Sequence, residues 1–218
     1  RLLTEGVPVG FRRDGEERGE RVRLVDFDTP GNNEFLAVNQ FTVIENRENK
    51  RPDIVLFVNG LPLVVIELKN AADERATMAA AFRQLQTYKA VIPSLLRYNG
   101  LLVISDGLDA RAGSLTADIS RFMAWKSEDG RSEAPRGRGQ LEVLIRGLLR
   151  PDVLLDMVRH FTVFEKEKAE TPDGQTLIRT SKKIAAYHQY YAVNKAVAST
   201  LRAARTDGPE QGRGGVIW

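Results

Sequence analysis

The sequence predicts an α/β protein with a mixed β-sheet and flanking helices, followed by a helical connector. Two apolar runs of strand length, 54–58 and 63–68, flank the turn signal Asn59-Gly60, which is typical of a β-hairpin buried on both faces. An alanine-rich segment of helical periodicity follows, and then a third apolar run, 101–105. A helix between two strands usually makes a right-handed crossover, so this last strand is expected to lie parallel to its neighbour.

The composition is that of an ordinary globular chain and excludes several classes of protein. The 218 residues are 42% hydrophobic and 28% charged, which is enough for one sizeable core. The absence of cysteine excludes a disulfide scaffold. The chain has two histidines, His160 and His188, which argues against a zinc site of histidine ligands. We find no signal peptide and no apolar run near the roughly 18 residues of a membrane span, so a cytoplasmic location is expected. A net charge of +3 permits a nucleic-acid partner without requiring one.

Strands and turns are expected before the hairpin. Residues 11–21 are charged and indicate an exposed hairpin tip or loop, whereas 22–27 alternate between apolar and charged residues and predict a strand. A turn at 29–33 leads to another predicted strand, 35–44. Asn39-Gln40 interrupts this strand, either as polar caps at its edge or with a role near an active site.

Three charged residues stand at the ends of the central hairpin: Asp53 before its first strand, and Glu67 and Lys69 near the end of its second. Glu67 and Lys69 share a face because strand side chains alternate. An odd-length loop or a bulge would set Asp53 opposite Glu67, whereas an even loop would put it on the other face. These residues form either a structural salt-bridge cluster or a site for Mg²⁺. In a Mg²⁺ site, Lys69 would lie beside the metal and orient a water molecule for the hydrolysis of a phosphodiester.

A helix is predicted over 74–90, with Asp73 as its cap and Pro93 beyond its end. Gln84 and Tyr88 fall on one helix face together with the apolar Ala81 and Leu85, and this face is expected to lie against the sheet. Taken alone, a glutamine and a tyrosine four residues apart are typical of ordinary packing.

Several motifs match a known family. Pro52-Asp53 followed by Glu67-Leu68-Lys69 matches the PD-(D/E)xK nuclease signature. The wider run RPDIVLFVNGLPLVVIELKN resembles the nuclease domain of the motor (R) subunit of type I restriction enzymes. Gln84-x-x-x-Tyr88 matches the Q-x-x-x-Y motif of the RecB-type branch of that superfamily. The resemblance extends upstream to the predicted strand 22–27, to Asn32-Asn33 and to Asn39-Gln40-Phe41.

The resemblance implies a restriction-endonuclease-like core and a set of site residues. Asp53 and Glu67 would hold Mg²⁺, with the backbone carbonyl of Leu68 as a further ligand. Lys69 would complete the catalytic group by positioning or activating water. Gln84 and Tyr88 would support the site and contact the DNA backbone. An upstream acidic residue often completes such sites, but the sequence does not identify it.

The second half of the chain predicts a loop and several helices. The polar stretch 126–140 carries Arg131, Arg136 and Arg138, which could meet DNA phosphate or be solvated. Residues 141–149 and 153–161 predict two helices, the second capped by Asp152, with a short strand at 161–164 and a turn at 172–174.

A long helix is predicted over 184–204. A similar segment precedes the first ATPase motif of type I motor subunits, which implies that Gln189 approaches the adenine of ATP; the aromatic residues around it could equally be core packing. Residues 215–218 resemble the first motor strand, but no G-x-x-x-x-G-K-[ST] motif is present. The chain begins without methionine and stops just after an apolar run, so a fragment of a longer polypeptide is expected.

These features predict three segments. Residues 1–125 would form the endonuclease domain, 126–180 a connector, and 181–218 the start of the first helicase-like motor domain, truncated before the phosphate-binding loop. The favoured hypothesis is a Mg²⁺-dependent endonuclease domain of an R subunit that cuts double-stranded DNA after ATP-driven translocation. Its implied partners are the methyltransferase and specificity subunits. The alternative is a non-catalytic DNA-docking module, which would predict a broken triad, whereas Asp53, Glu67 and Lys69 are all present.

Overall fold

The computed structural model of the chain describes residues 2–70, 77–170, 173, 175–204 and 212. Its helices and strands, in chain order, are α1 Leu2–Glu5, β1 Val7–Arg13, β2 Glu16–Val22, β3 Phe35–Asn39, β4 Val43–Glu45, β5 Glu48–Lys50, β6 Ile54–Val58, β7 Leu61–Leu68, α2 Met78–Val91, β8 Leu101–Ser105, β9 Ala110–Gly113, α3 Gln140–Gly147, α4 Pro151–His160, β10 Thr162–Glu170, β11 Thr176–Ile184 and α5 Tyr187–Ala203.

A five-stranded mixed sheet forms the centre of the fold, with the strand order β3-β6-β7-β8-β9. β7 and β8 are parallel, as the crossover through α2 predicts, and the other neighbouring pairs are antiparallel. β8 is buried along its whole length, because the sheet is covered on both faces. The predicted fold class, a restriction-endonuclease-like mixed sheet with flanking helices, is confirmed.

The hairpin of β6 and β7 determines which residues face each other where β6 begins and β7 ends. Its turn is formed by Asn59 and Gly60, which both adopt left-handed backbone conformations with φ of 49° and 78°, as a two-residue hairpin turn requires. The pairing shifts register between Leu56 and Phe57, which face Val64 and Pro62, so Leu63 is an extra residue in β7. The pairing ends with Ile54 opposite Ile66, and its continuation by one residue sets Asp53 opposite Glu67.

Helices cover the two faces of the sheet. On one face, Leu85 of α2 packs in a buried cluster with Val65 of β7 and Leu102 of β8. On the other face, residues of α3, α4 and α5 join the strands in a second cluster, including Leu144, Leu154 and Tyr190. Burial of these apolar side chains on both faces is the main force that holds the sheet in place.

The prediction of a strand over 22–27 is wrong for the residues after Val22, because β2 ends at Val22. The Asp26 carboxylate instead accepts hydrogen bonds from the N–H groups of Asp28 and Thr29 and from the side chain of Asn32. Such local side-chain bonds compete with a strand ladder. The upstream strands are β1 and β2, which pair as an exposed hairpin, as one of the two readings of 11–21 predicts.

Three other predicted boundaries also differ from the structure. The strand predicted over 35–44 ends at Asn39, because Gln40 has a left-handed backbone with φ of 52° and starts a separate path to β4. Arg150, not Asp152, is the N-cap of α4; Asp152 lies in the first turn and pairs with the Arg150 guanidinium. Ile184 belongs to β11, so α5 begins three residues later than predicted.

β5, β9 and β11 were not predicted as strands, and the short strand predicted at 161–164 is the beginning of β10, which continues to Glu170. Thr77 is the N-cap of α2, and its side chain accepts a hydrogen bond from the N–H of Ala80. The predicted cap Asp73, most of the predicted turn 172–174 and the predicted strand 215–218 lie outside the described residues. The segment boundaries at 125 and 180 stay predictions.

None of the helices in the part of the chain that the structure describes has both the length and the apolar character needed to cross a membrane.

Candidate active site

The candidate site lies at the edge of the sheet where β6 begins and β7 ends. Glu67 and Val65 point to the same side of β7 because strand side chains alternate, and Val65 lies in the cluster formed with α2. Glu67 is buried, with 3% of its surface exposed. A carboxylate at this depth needs hydrogen-bonding partners, since an unpaired buried charge is strongly unfavourable.

Both oxygens of Glu67 accept a hydrogen bond. Lys69 Nζ donates to Oε1 over 2.7 Å, and the Tyr88 hydroxyl donates to Oε2 over 3.0 Å. The Gln84 side chain lies close enough to the Tyr88 hydroxyl to lower its pKa. The helix α2 and the end of β7 therefore meet at this one carboxylate.

Both oxygens of Asp53 are also occupied. The N–H of Leu68 donates to Oδ2 over 2.8 Å, and Gln40 Nε2 donates to Oδ1 over 2.9 Å. The Gln40 N–H donates to the Asp53 carbonyl over 2.9 Å. Asp53 is thus tied to the neighbouring β7 on one side and to the end of β3 on the other.

Burial and charge shift the titration of two groups at the site. Burial raises the pKa of Glu67, and the nearby Asp53 carboxylate raises it further, while the hydrogen bonds from Lys69 and Tyr88 act in the opposite direction. Burial and the charge of Glu67 raise the pKa of Tyr88 well above its usual range, so its hydroxyl remains a donor.

The two carboxylates fit a hard divalent cation. Asp53 raises the pKa of Glu67 through like-charge repulsion, which a bound cation would relieve. Carboxylate oxygens are the ligands that Mg²⁺ prefers. Within the described residues, no group of three or more His, Cys, Asp or Glu side chains could hold a metal. The remaining ligands would therefore come from backbone, water or substrate, as is common for Mg²⁺.

The structure brings together five of the side chains singled out in the sequence: Asp53, Glu67, Lys69, Gln84 and Tyr88. Their catalytic roles stay predictions, as does the Leu68 carbonyl ligand. The Lys69–Glu67 ion pair is also what the salt-bridge interpretation predicts, so the geometry alone does not separate the two.

Gln189 lies apart from this cluster, in the first turn of α5. Its side-chain oxygen accepts a hydrogen bond from the N–H of Ala186, which caps the helix. The aromatic residues beside it pack into the core: Tyr190 is buried, with its ring 5.7 Å from Trp125 and 4.8 Å from Phe161. The predicted contact of Gln189 with adenine stays a prediction.

In the loop 126–140, one of the three arginines that could contact DNA phosphate is already paired with carboxylates. Arg138 pairs with Glu128 over 3.1 Å and with Glu142 over 3.0 Å. This arrangement favours the interpretation of Arg138 as a structural side chain over that of a phosphate contact.

Gln40 is the site residue whose role the sequence left open. The break in strand periodicity at Asn39-Gln40 was the available signal, and it permitted both a cap and a role near the site. The structure places the Gln40 amide on Asp53.

Comparison with known proteins identifies the family. The sequence profile of a family described as the N terminus of the type I restriction enzyme R protein matches residues 1–121, which is more than half of the chain. The chain belongs to this family. All three site residues of the signature, Asp53, Glu67 and Lys69, lie within the matched region.

Individual members of the family are similar over the whole chain. The type I restriction enzyme HindI endonuclease subunit of Haemophilus influenzae is 48% identical over 100% of this chain and 20% of its own length. The MjaIXP endonuclease subunit of Methanocaldococcus jannaschii is 32% identical over 100% of this chain and 21% of its own length. The chain therefore spans about a fifth of the length of these relatives.

Proposed function

We propose that this chain is the Mg²⁺-dependent DNA endonuclease domain of the R subunit of a type I restriction enzyme. The observation that supports this most strongly is the convergence of Asp53, Glu67 and Lys69 at one sheet edge in a member of the R protein family. The intact triad argues against a DNA-docking module without catalysis.

Asp53 and Glu67 would hold the Mg²⁺ ion, which when bound polarises a phosphate oxygen and lowers the pKa of a coordinated water. Hydrolysis forms a new P–O bond to water and breaks the P–O bond to the leaving sugar oxygen, which takes up a proton. The Lys69 side chain is 28% exposed while its Nζ stays 2.7 Å from Glu67. It is therefore placed to orient the attacking water or to stabilise charge on the phosphate.

Gln84 and Tyr88 would act on the same site from the helix. The Tyr88 hydroxyl would fix the orientation of Glu67, and the Gln84 side chain lies beside that hydroxyl. Gln84 is only partly buried, so its amide can also reach a DNA phosphate.

The partners follow from the proposed role. The substrate is double-stranded DNA in the cytoplasm, and the methyltransferase and specificity subunits complete the enzyme. ATP would be used by motor domains in the remainder of the subunit to move DNA before cleavage.

The experiment that tests the proposal replaces either carboxylate in the complete enzyme. Asp53→Ala and Glu67→Ala should each abolish plasmid cleavage, because each removes a metal ligand, while DNA-dependent ATP hydrolysis persists. Asp173→Ala, at an exposed position between β10 and β11, is the matched control and should cut normally. Plasmid linearisation at the wild-type rate by either site variant would refute the assignment.

A further inference from the structure

The four carboxylate oxygens of Asp53 and Glu67 each accept one hydrogen bond from the chain. Leu68 N–H, Lys69 Nζ and the Tyr88 hydroxyl supply three of the donors, and the side chain of Gln40 supplies the fourth. Gln40 differs from the others because it lies outside the hairpin and α2, directly after β3. The Gln40 side chain donates to Asp53 from another part of the chain, as the Tyr88 hydroxyl donates to Glu67.

The backbone of Gln40 is held independently of its side chain. The β3–β6 pairing ends with Asn39 opposite Ile54, and the Gln40 N–H continues it by donating to the Asp53 carbonyl. The next residue, Phe41, packs edge-on against Phe57 with ring centroids 5.2 Å apart. Gln40 is thereby held at a φ of 52°, a conformation that is unfavourable for most residues other than glycine.

The anchored backbone delivers an amide donor to Asp53 from the side opposite to Leu68. A carboxylate oxygen has two lone pairs, so Asp53 Oδ1 can accept this hydrogen bond and still bind a cation. Without it, Asp53 would be held through Oδ2 alone and its carboxylate could rotate away from Glu67. A neutral amide suits this place because it holds the carboxylate by a hydrogen bond and carries no positive charge that would repel a metal.

We propose that Gln40 is a positioning residue that holds Asp53 in its cation-binding orientation and so sets the affinity of the site for divalent metal. This inference rests on the proposed function, since it assumes that Asp53 and Glu67 bind the ion. Hydrogen-bonding partners of metal ligands commonly change affinity by about 10- to 100-fold, and Gln40 is expected to act at the lower end of that range.

The test is a Mn²⁺ titration of the 218-residue chain, with free Mn²⁺ followed by electron paramagnetic resonance. Gln40→Met keeps the length of the side chain and removes the donor, and should weaken binding by about 10-fold. Gln40→Gly also removes the donor but relieves the left-handed backbone, and should weaken binding equally. Asn39→Ala, at the adjacent exposed position, should bind as the wild type does. Thermal unfolding of each variant confirms that it is folded at the titration temperature.

Three outcomes would overturn the inference, and they are distinguishable. If Gln40→Met unfolds at a lower temperature but binds Mn²⁺ within twofold of the wild type, Gln40 is purely structural. If Gln40→Gly binds as the wild type does, the amide has no role in metal binding. If the wild-type chain itself binds no Mn²⁺, the proposed metal site fails and the inference fails with it.

Discussion

The hydroxyl of Tyr88 links a helix to a buried carboxylate through one hydrogen bond. Tyr88 is 2% exposed, and its hydroxyl donates to Glu67 Oε2. Lys69 holds the other oxygen of Glu67 from a position that is more open to solvent. The orientation of Glu67 therefore depends on one buried and one accessible donor, and these two can be tested separately.

Tyr88→Phe removes the buried donor and almost no volume. The free energy of unfolding should fall by about 1 kcal/mol, because one hydrogen bond to Glu67 is lost. Cleavage of plasmid DNA by the complete enzyme should fall, with ATP hydrolysis and translocation unchanged. Tyr98→Phe, at a residue that is 41% exposed, is the control. Wild-type cleavage by Tyr88→Phe would show that the hydroxyl only packs.

The periodicity of strands and helices was enough to predict that most residues of the candidate site lie together. The two-residue period of a strand and the four-residue repeat of a helix predicted that Glu67, Lys69, Gln84 and Tyr88 would face one region, and they do. The contact of Gln40 with Asp53 could not be derived in this way. It depends on the pairing of β3 with β6 and on a left-handed backbone, and neither is visible in local sequence.

The hairpin of β6 and β7 shows how an element fixes the site. Its two-residue turn alone would have put Asp53 and Glu67 on opposite faces. The register shift between Leu56 and Phe57 reverses this and sets the two carboxylates opposite each other. The sequence left both arrangements open, because a bulge carries no clear local signal here.

The turn of this hairpin is held by the Asn59 side chain. Its oxygen accepts from the N–H of Glu34, and its amide donates to the Leu24 carbonyl and to Asn33 Oδ1. These bonds connect the tip of the hairpin to the segment before β3, at the opposite end of β6 from Asp53.

Asn59→Ala removes these bonds and puts alanine at a positive φ. The free energy of unfolding, measured with urea, should fall by about 2 to 4 kcal/mol. Asn46→Ala is a matched control because Asn46 has a similar φ of 51° but is exposed in the turn between β4 and β5. Equal losses in the two variants would mean that backbone strain dominates and the side-chain network adds nothing.

The strands that the sequence missed or predicted too short lack the usual strand signals, for two different reasons. β10 and β11 pair along their full length, yet most of their residues are exposed. Such strands bury no apolar face, so they lack the alternation that identifies a strand in sequence. β9 is short and composed of Ala, Arg and Gly, which have little preference for strands.

At the scale of the whole molecule, the segment after residue 140 completes the core. Buried residues of α3, α4 and α5 lie in the same cluster as residues of the sheet. Lys182 of β11 adds a polar link to this side. Its Nζ donates to the carbonyls of Asn99 and Gly100 over 2.5 and 2.7 Å, just before β8.

Burial lowers the pKa of Lys182 from 10.5 to about 8. Below pH 8 the group is charged in both folded and unfolded states, and burial of the charge destabilises the fold. Between about pH 8 and 10.5 the folded state releases this proton while the unfolded state keeps it, so stability relative to a variant without the amine should rise with pH. The change is on the order of 3 kcal/mol.

The measurement compares urea unfolding of the wild type and Lys182→Met from pH 7 to 10. The difference in unfolding free energy, wild type minus variant, should increase as the pH rises above 8. Lys166→Met, at an exposed position of β10, corrects for the general effect of removing a lysine. A difference for Lys182 that does not change with pH would contradict the predicted titration.

The central claim is that Asp53 and Glu67 together bind a divalent cation, and anomalous diffraction tests it most directly. Crystals of the chain would be soaked in millimolar Mn²⁺ and measured near the manganese absorption edge. The account predicts one strong anomalous peak between the two carboxylates, lost in crystals of Glu67→Ala. The absence of a peak there in the wild type, with Lys69 still paired to Glu67, would show that these side chains form a structural ion-pair cluster and not a metal site.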